Sequence, residues 1–473
     1  MNSRTLAKTL AFIIAAGFAA AWVAWPGSAA AEPYASTYEP LPSVPTLIVN
    51  ATILTGTGER LDNGSLLLAN GRIEQIGEGM LGVREEDVLL IDAAGRWVTP
   101  GLIDVHSHLG VYASPHLKAH SDGNEMTAPA TANVWAEHSV WPQDPGFSRA
   151  LAGGVTALQV LPGSANLVGG RGVTLKNVPS ISYQGMKFPG APQGLKMACG
   201  ENPKRLYGER MQAPSTRMGN VAGYRAEWLA AQKYIRDWDE YARKEAGLAS
   251  SGEASDEEPA PPTRDLKLET LAGALRGDIL VHMHCYRADE MMTVLDMAEE
   301  FGYRISAFHH GVEAYKIADA LAERGVCGAL WADWWGFKAE AWDGIQENIA
   351  LVDRPEGGCA IVHSDSAEGI QRLNQEAAKA MTRGQRAGLD IPPERAIRWI
   401  TANAARAMGI LEQTGTLEPG KMADVVIWNG NPFSVYAQAD QVFIDGARLY
   451  DRYEPALQPL SDFELGRQLG GRE

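Results

Sequence analysis

The chain has 473 residues, and 42 Lys and Arg against 58 Asp and Glu leave a formal charge of −16. That field repels polyanions, which excludes nucleic acid and anionic lipid surfaces as general partners and leaves a small-molecule ligand as the expectation. With 45% hydrophobic residues, 21% charged residues and 13 Trp, the composition excludes a disordered or fibrous chain, and the length allows two or three domains or one large barrel with an appendage. Whether the chain forms a homo-oligomer stays open.

In chain order, Arg4 and Lys8 precede an uncharged run from Thr9 to Ala31 that is broken by Pro26-Gly27 and closed by Ser28-Ala29-Ala30-Ala31. This reads as a signal peptide over 1–31, with an uncleaved anchor as the rival, and it predicts an exported, periplasmic or extracellular protein with no stable membrane association after cleavage. Residues 45–98 show short β-branched runs separated by Asn-Gly turns, and 413–450 repeat that pattern, so both termini are expected to build one composite β domain. Between them, 99–412 alternate short apolar strands (GLIDVHSH, GVTALQVL, DILVHMH, YRISAFHHG, GCAIVHSD) with helical patterns, which is the grammar of βα units around a parallel sheet. Two stretches read as loops: the Gly-rich LPGSANLVGGRGVTLKN as a βα loop, and the Ser-, Glu- and Pro-biased 245–265 as an exposed acidic insertion. Cys199, Cys285, Cys327 and Cys359 lie in apolar or Gly-rich surroundings and read as buried thiols, not as a disulfide framework.

The strand ends carry the chemistry. His106-Ser107-His108 follows an apolar strand, and residues i and i+2 of a strand share a face, so both imidazoles point to one place. Later strands end in His282-Met283-His284, in His309-His310 and in Asp365. In a βα barrel the C-terminal strand ends gather at one mouth, and histidines with a carboxylate there form a site for zinc or a similar divalent ion, one or two per chain. No Gly-x-Ser-x-Gly elbow offers a nucleophilic serine instead.

Taken together, VTPGLIDVHSHLG (98–110), VHMHCYRAD (281–289), HHG (309–311), VHSDS (362–366), TANAARAMG (401–409) and GTLEPGKMADVVIWNGNPF (415–433) resemble the amidohydrolase superfamily, in particular its imidazolonepropionase-like and dipeptidase-like branches. The resemblance implies a distorted TIM (β/α)8 barrel with a composite β-sandwich, hydrolysing an amide-type carbon–nitrogen bond with metal-activated water. On that resemblance His106, His108, His284, His310 and Asp365 would be metal ligands, and Asp365 the general base. His282 would lie one step deeper, and His309 would replace an acidic neighbour and pack between strand and helix. The fourth-strand ligand is either Lys196, which would need carbamylation to bind a cation, or Glu201; Lys187 reads as surface. Arg205 and Trp334 are candidates for substrate contact. Other chemistries on the scaffold are a proline-releasing dipeptidase, a lactonase and, least favoured, a deaminase. A non-enzymatic binding protein is the reading from outside that class.

Overall fold

A computed structural model describes residues 34–251 and 259–459, and the described residues from Ser36 onward form one compact unit. The expected signal peptide lies outside the described residues. In chain order the strands are β1 (Thr46–Leu54), β2 (Arg60–Ala69), β3 (Arg72–Glu78), β4 (Leu89–Asp92) and β5 (Trp97–Pro100). Then come β6 (Leu102–Ser107), β7 (Val155–Val160), β8 (Val168–Lys176), β9 (Gly194–Ala198), β10 (Leu280–Cys285), β11 (Ile305–His310), β12 (Cys327–Leu330) and β13 (Ala360–Val362), followed by β14 (Val425–Trp428), β15 (Ala439–Ile444) and β16 (Ala447–Asp451). Among the described residues no helix is long and apolar enough to cross a membrane.

One sheet runs β16-β15-β14-β5-β1-β2-β3, with β4 also on β1. The two ends of the chain meet where β5 pairs antiparallel with β14, Val98 opposite Ile427. The indole Nε1 of Trp428 donates to Thr99 Oγ1 across that pair at 2.9 Å. Asn70-Gly71 makes the β2–β3 hairpin turn with both φ values positive, at 52° and 75°, as a two-residue turn with Asn-Gly requires.

The second sheet contains the eight strands from β6 to β13 in sequence order and nearly closes into a barrel. The edge strands are stitched at the mouth: the Asp104 carboxylate on β6 accepts from the Ser364 hydroxyl and backbone N–H, and Asp365 N–H donates to His106 O at 3.1 Å. Strands β9 to β13 run parallel, but β8 is antiparallel to both β7 and β9. The Gly-rich segment expected as a loop is therefore a barrel strand. Glycine is needed there for close approach, since a Cβ at Gly170, whose φ is 122°, would stand 2.4 Å from Val134 O.

Two further expectations change. A helix Arg217–Ser251 runs through the first part of the segment expected as a loop over 245–265, because its Glu, Ala and Leu content sustains a helix that the Ser and Gly bias had masked. The cysteines form two disulfides, Cys199–Cys285 and Cys327–Cys359. Neighbouring strands bring partners 86 and 32 residues apart in sequence to Cα separations of 5.2 and 4.6 Å, a proximity only the topology creates.

Candidate metal centre at the barrel mouth

The barrel's C-terminal strand ends bring His106, His282, His284, His309, His310 and His363 together, each no more than 2% exposed. Burial comes first in pushing His106, His284, His309 and His310 well below the ordinary imidazole range, and holds His282 at about 3 and His363 at about 4, so all are neutral at neutral pH with lone pairs available. At the centre stands Asp365, with a side chain 21% exposed. Burial raises its pKa, but the His108 hydrogen bond and the charges of His108, His363 and Lys196 outweigh it and hold the carboxyl below its usual range.

Around Asp365 the donor atoms take ligand-like separations. Its Oδ1 lies 3.2 Å from His108 Nε2 and 3.6 Å from His106 Nε2, and its Oδ2 lies 3.8 Å from His310 Nδ1. Ligands about 2 Å from a tetrahedral ion stand roughly 3.3 Å from one another, so this spacing suits a small divalent cation. Two overlapping groups have this character, His106–His108–Asp365 and His106–His310–His363. His106 Nε2, His310 Nδ1 and both nitrogens of His284 and His363 are buried without a hydrogen-bond partner, which is costly in a core, and a cation would engage one lone pair on each of these four rings. His310 and Asp365 are also held at φ 72° and 49°, left-handed values that non-glycine residues adopt at a cost of about 1–3 kcal/mol each.

Behind the centre, His309 links two of these rings. Its Nδ1 is 2.8 Å from His106 Nδ1 and its Nε2 is 2.9 Å from His282 Nδ1. The expectation that His309 packs between strand and helix is therefore corrected. Strand alternation puts His309 on the same side as Ala307, and the left-handed backbone at His310 turns the next ring toward the same cluster. His108 is oriented separately, with its Nδ1 2.8 Å from Leu161 O.

The fourth-strand candidates separate. Lys196 is fully buried and stands opposite His282 across the β9–β10 pair. Its ammonium donates to Pro162 O at 3.0 Å, and burial lowers its pKa to about 8. Glu201 instead opens the helix Glu201–Glu209 and faces Lys338, with Oε1 3.7 Å from Lys338 Nζ. Arg205 is an exposed helix-surface charge 4.0 Å from Glu209 and does not reach the cluster. Lys187 is buried beside Glu137 at 3.2 Å, which corrects its reading as a surface residue.

The amidohydrolase family model matches residues 343–449. The crystal structure of an amidohydrolase from Thermotoga maritima is 35% identical and aligns with a TM-score of 0.75, covering 86% of this chain and 100% of that one. This chain belongs to the amidohydrolase family. Amidohydrolase tasK of Hapsidospora irregularis is 32% identical over 438 residues, or 86% of this chain, although the chain spans only 43% of that relative's length. An imidazolonepropionase of Mesorhizobium japonicum is 24% identical over 355 residues, covering 72% of this chain and 79% of its own.

Against this amidohydrolase frame, one member of the cluster went unrecognised in the sequence. His363 sits two residues before Asp365 in VHSD, the same i, i+2 step that singled out His106 and His108, and that step was the signal available.

Proposed function

We propose that the protein is a metal-dependent hydrolase that cleaves an amide-type carbon–nitrogen bond of a small substrate, and that it works in an exported compartment. The observation that carries the reading is the set of buried imidazole nitrogens without partners around Asp365. They fit a divalent cation, zinc being the ion best matched to histidine nitrogens and one carboxylate, held by His106, His108, His310 and Asp365 with His284 and His363 beside them. Such a cation, when bound, supplies the acidification of water and the polarisation of a carbonyl that this hydrolysis needs.

The chain's own residues do the rest. For His106 to present the Nε2 lone pair, its Nδ1 must carry the proton and donate to His309 Nδ1. His309 Nε2–H then donates to His282 Nδ1, so the relay fixes one tautomer along three rings. Asp365, ionised at neutral pH, accepts the proton of the attacking water at a carboxylate oxygen and returns it to the leaving nitrogen, giving an acid and an amine. Lys196 is the better-placed fourth-strand group, and as a carbamate it would add the anionic oxygens that let two cations share the site.

Export is supported by the two disulfides, since paired cysteines persist in oxidising compartments and are rare in reducing ones. The test is a panel of N-acyl amino acids, dipeptides, cyclic amides and lactones offered to the zinc-loaded protein. Amide turnover that Asp365→Asn abolishes supports the reading; turnover of lactones alone, or none at all, overturns it.

A further inference from the structure

Beneath the metal centre the barrel interior holds further buried polar groups that the hydrolytic step leaves unused. Gln159 on β7 is fully buried, and neither end of its amide has a hydrogen-bond partner. Thr174 on β8, 2% exposed, stands directly opposite Gln159 in the antiparallel β7–β8 pair, and its hydroxyl is also buried without a partner. Residues directly opposite one another share a sheet face with Cβ atoms about 5 Å apart, so the hydroxyl is within reach of the amide. His282 on β10 is the third member, with Nε2 buried and without a hydrogen bond although its Nδ1 is engaged by His309.

Gly194 on β9 lets these groups converge. A Cβ there would lie 3.0 Å from Gln159 Nε2, 3.0 Å from His282 Cδ2 and 3.5 Å from His282 Nε2, so the glutamine and the histidine face each other across a strip of β9 that has no side chain. Lys196, two residues further along the same face of that strand, turns its ammonium to Pro162 O instead. A buried amide, hydroxyl or ring nitrogen costs about 1–3 kcal/mol while it stays unpaired, and little once such groups pair with one another.

The position of each proton along the relay decides how they pair. A cation on His106 Nε2 leaves the proton on His106 Nδ1; His309 accepts it in a hydrogen bond at Nδ1 and donates from Nε2 to His282 Nδ1, so His282 carries its own proton on Nε2. That N–H needs an acceptor. A half-turn of the Gln159 amide exchanges its two ends, presenting Oε1 to His282 and Nε2 to Thr174 Oγ1. We propose that Gln159 is a positioning residue for the metal: its carbonyl oxygen accepts from His282 Nε2–H across the gap at Gly194, directly or through one water, and so terminates a relay running from the cation through His106, His309 and His282. The inference rests on the metal-dependent reading above and extends it two strands deeper into the barrel.

The test is the zinc affinity of the full chain, measured by competition with a chromophoric chelator, together with nitrogen NMR of the histidine-labelled protein, which reports the protonated nitrogen of each ring. In the zinc-loaded parent His282 should carry its proton on Nε2. Gln159→Leu strands that N–H and should weaken zinc binding about tenfold, the scale of one buried hydrogen bond lost. Gln159→Glu keeps an acceptor at the same place and should bind zinc within about threefold of the parent or more tightly, a rescue that general damage to the barrel would not produce. Unchanged affinity in Gln159→Leu, a comparable loss in both variants, or a His282 proton on Nδ1 in the loaded parent overturns the inference and leaves the metal centre standing. A parent that takes up no zinc removes the metal-dependent reading, and the inference with it.

Discussion

Two clusters of buried polar groups lie at different places in the barrel. At the seam with the β-sandwich, Lys176 at the end of β8 is fully buried, with Nζ 2.7 Å from Asp445 Oδ2 and 3.3 Å from Asp424 Oδ1. Tyr38 donates to the same Asp445 oxygen at 2.5 Å, and Thr414 donates to Asp424 Oδ2 at 2.7 Å. Every one of these groups has a partner. At the mouth, His282, His284, His310 and His363 each leave one or both ring nitrogens without a hydrogen bond. Folding alone completes the first cluster, so it is structural; the second is incomplete without a further species, and that incompleteness marks it as functional.

The contrast is most severely tested at the seam. Lys176→Met would leave Asp424 and Asp445 buried without their cation, and breaking a buried pair in this way costs about 3–5 kcal/mol, read as a lower denaturation midpoint with metal content per folded chain unchanged. Burial already raises the Asp445 carboxyl, and the variant raises it further. A group with a raised folded pKa contributes stability that is present at low pH and lost as pH rises through that value, so the deficit should shrink on acidification.

At the mouth the effect falls on chemistry instead. Asp365→Asn should lose at least ~10²-fold in kcat, the usual scale for removing a general base, while its melting temperature stays near the parent's. His309→Phe, which breaks the relay behind His106 without removing a ring nitrogen that faces Asp365, should weaken metal binding by roughly 10- to 100-fold in a chelator competition. The smallest effect belongs to Glu201→Gln. Its partly exposed contact with Lys338 is worth less than about 1 kcal/mol, and its metal content should match the parent's, whereas Lys196→Ala should lower it from two equivalents to one where the lysine is carbamylated.

Much of the mouth was legible because histidines recur at strand ends with a two-residue step, as in His106-Ser107-His108, and because both halves of the sandwich repeat one strand-turn grammar. Other features depended on backbone geometry that sequence periodicity does not carry. His309 and His310 can both face the cluster because His310 departs from strand dihedrals, and β8 is a strand because its glycines permit a close approach that composition reads as loop. The disulfides join residues whose nearness arises only once β9 pairs with β10 and β12 with β13. Lys196 and Glu201 are five residues apart and equally plausible as ligands on paper; the end of β9 at Ala198 puts the first inside the barrel and the second on the following helix.

The most direct measurement is the metal content of the full chain, purified without chelator and assayed by elemental analysis alongside native mass spectrometry. Neutral imidazoles without partners around an ionised carboxylate should retain one to two equivalents of a divalent metal, about one if Lys196 is unmodified and two if it is carbamylated. Less than about a tenth of an equivalent, with no uptake when zinc is added back, would contradict the metal centre, since a multi-histidine site of this kind holds zinc tightly.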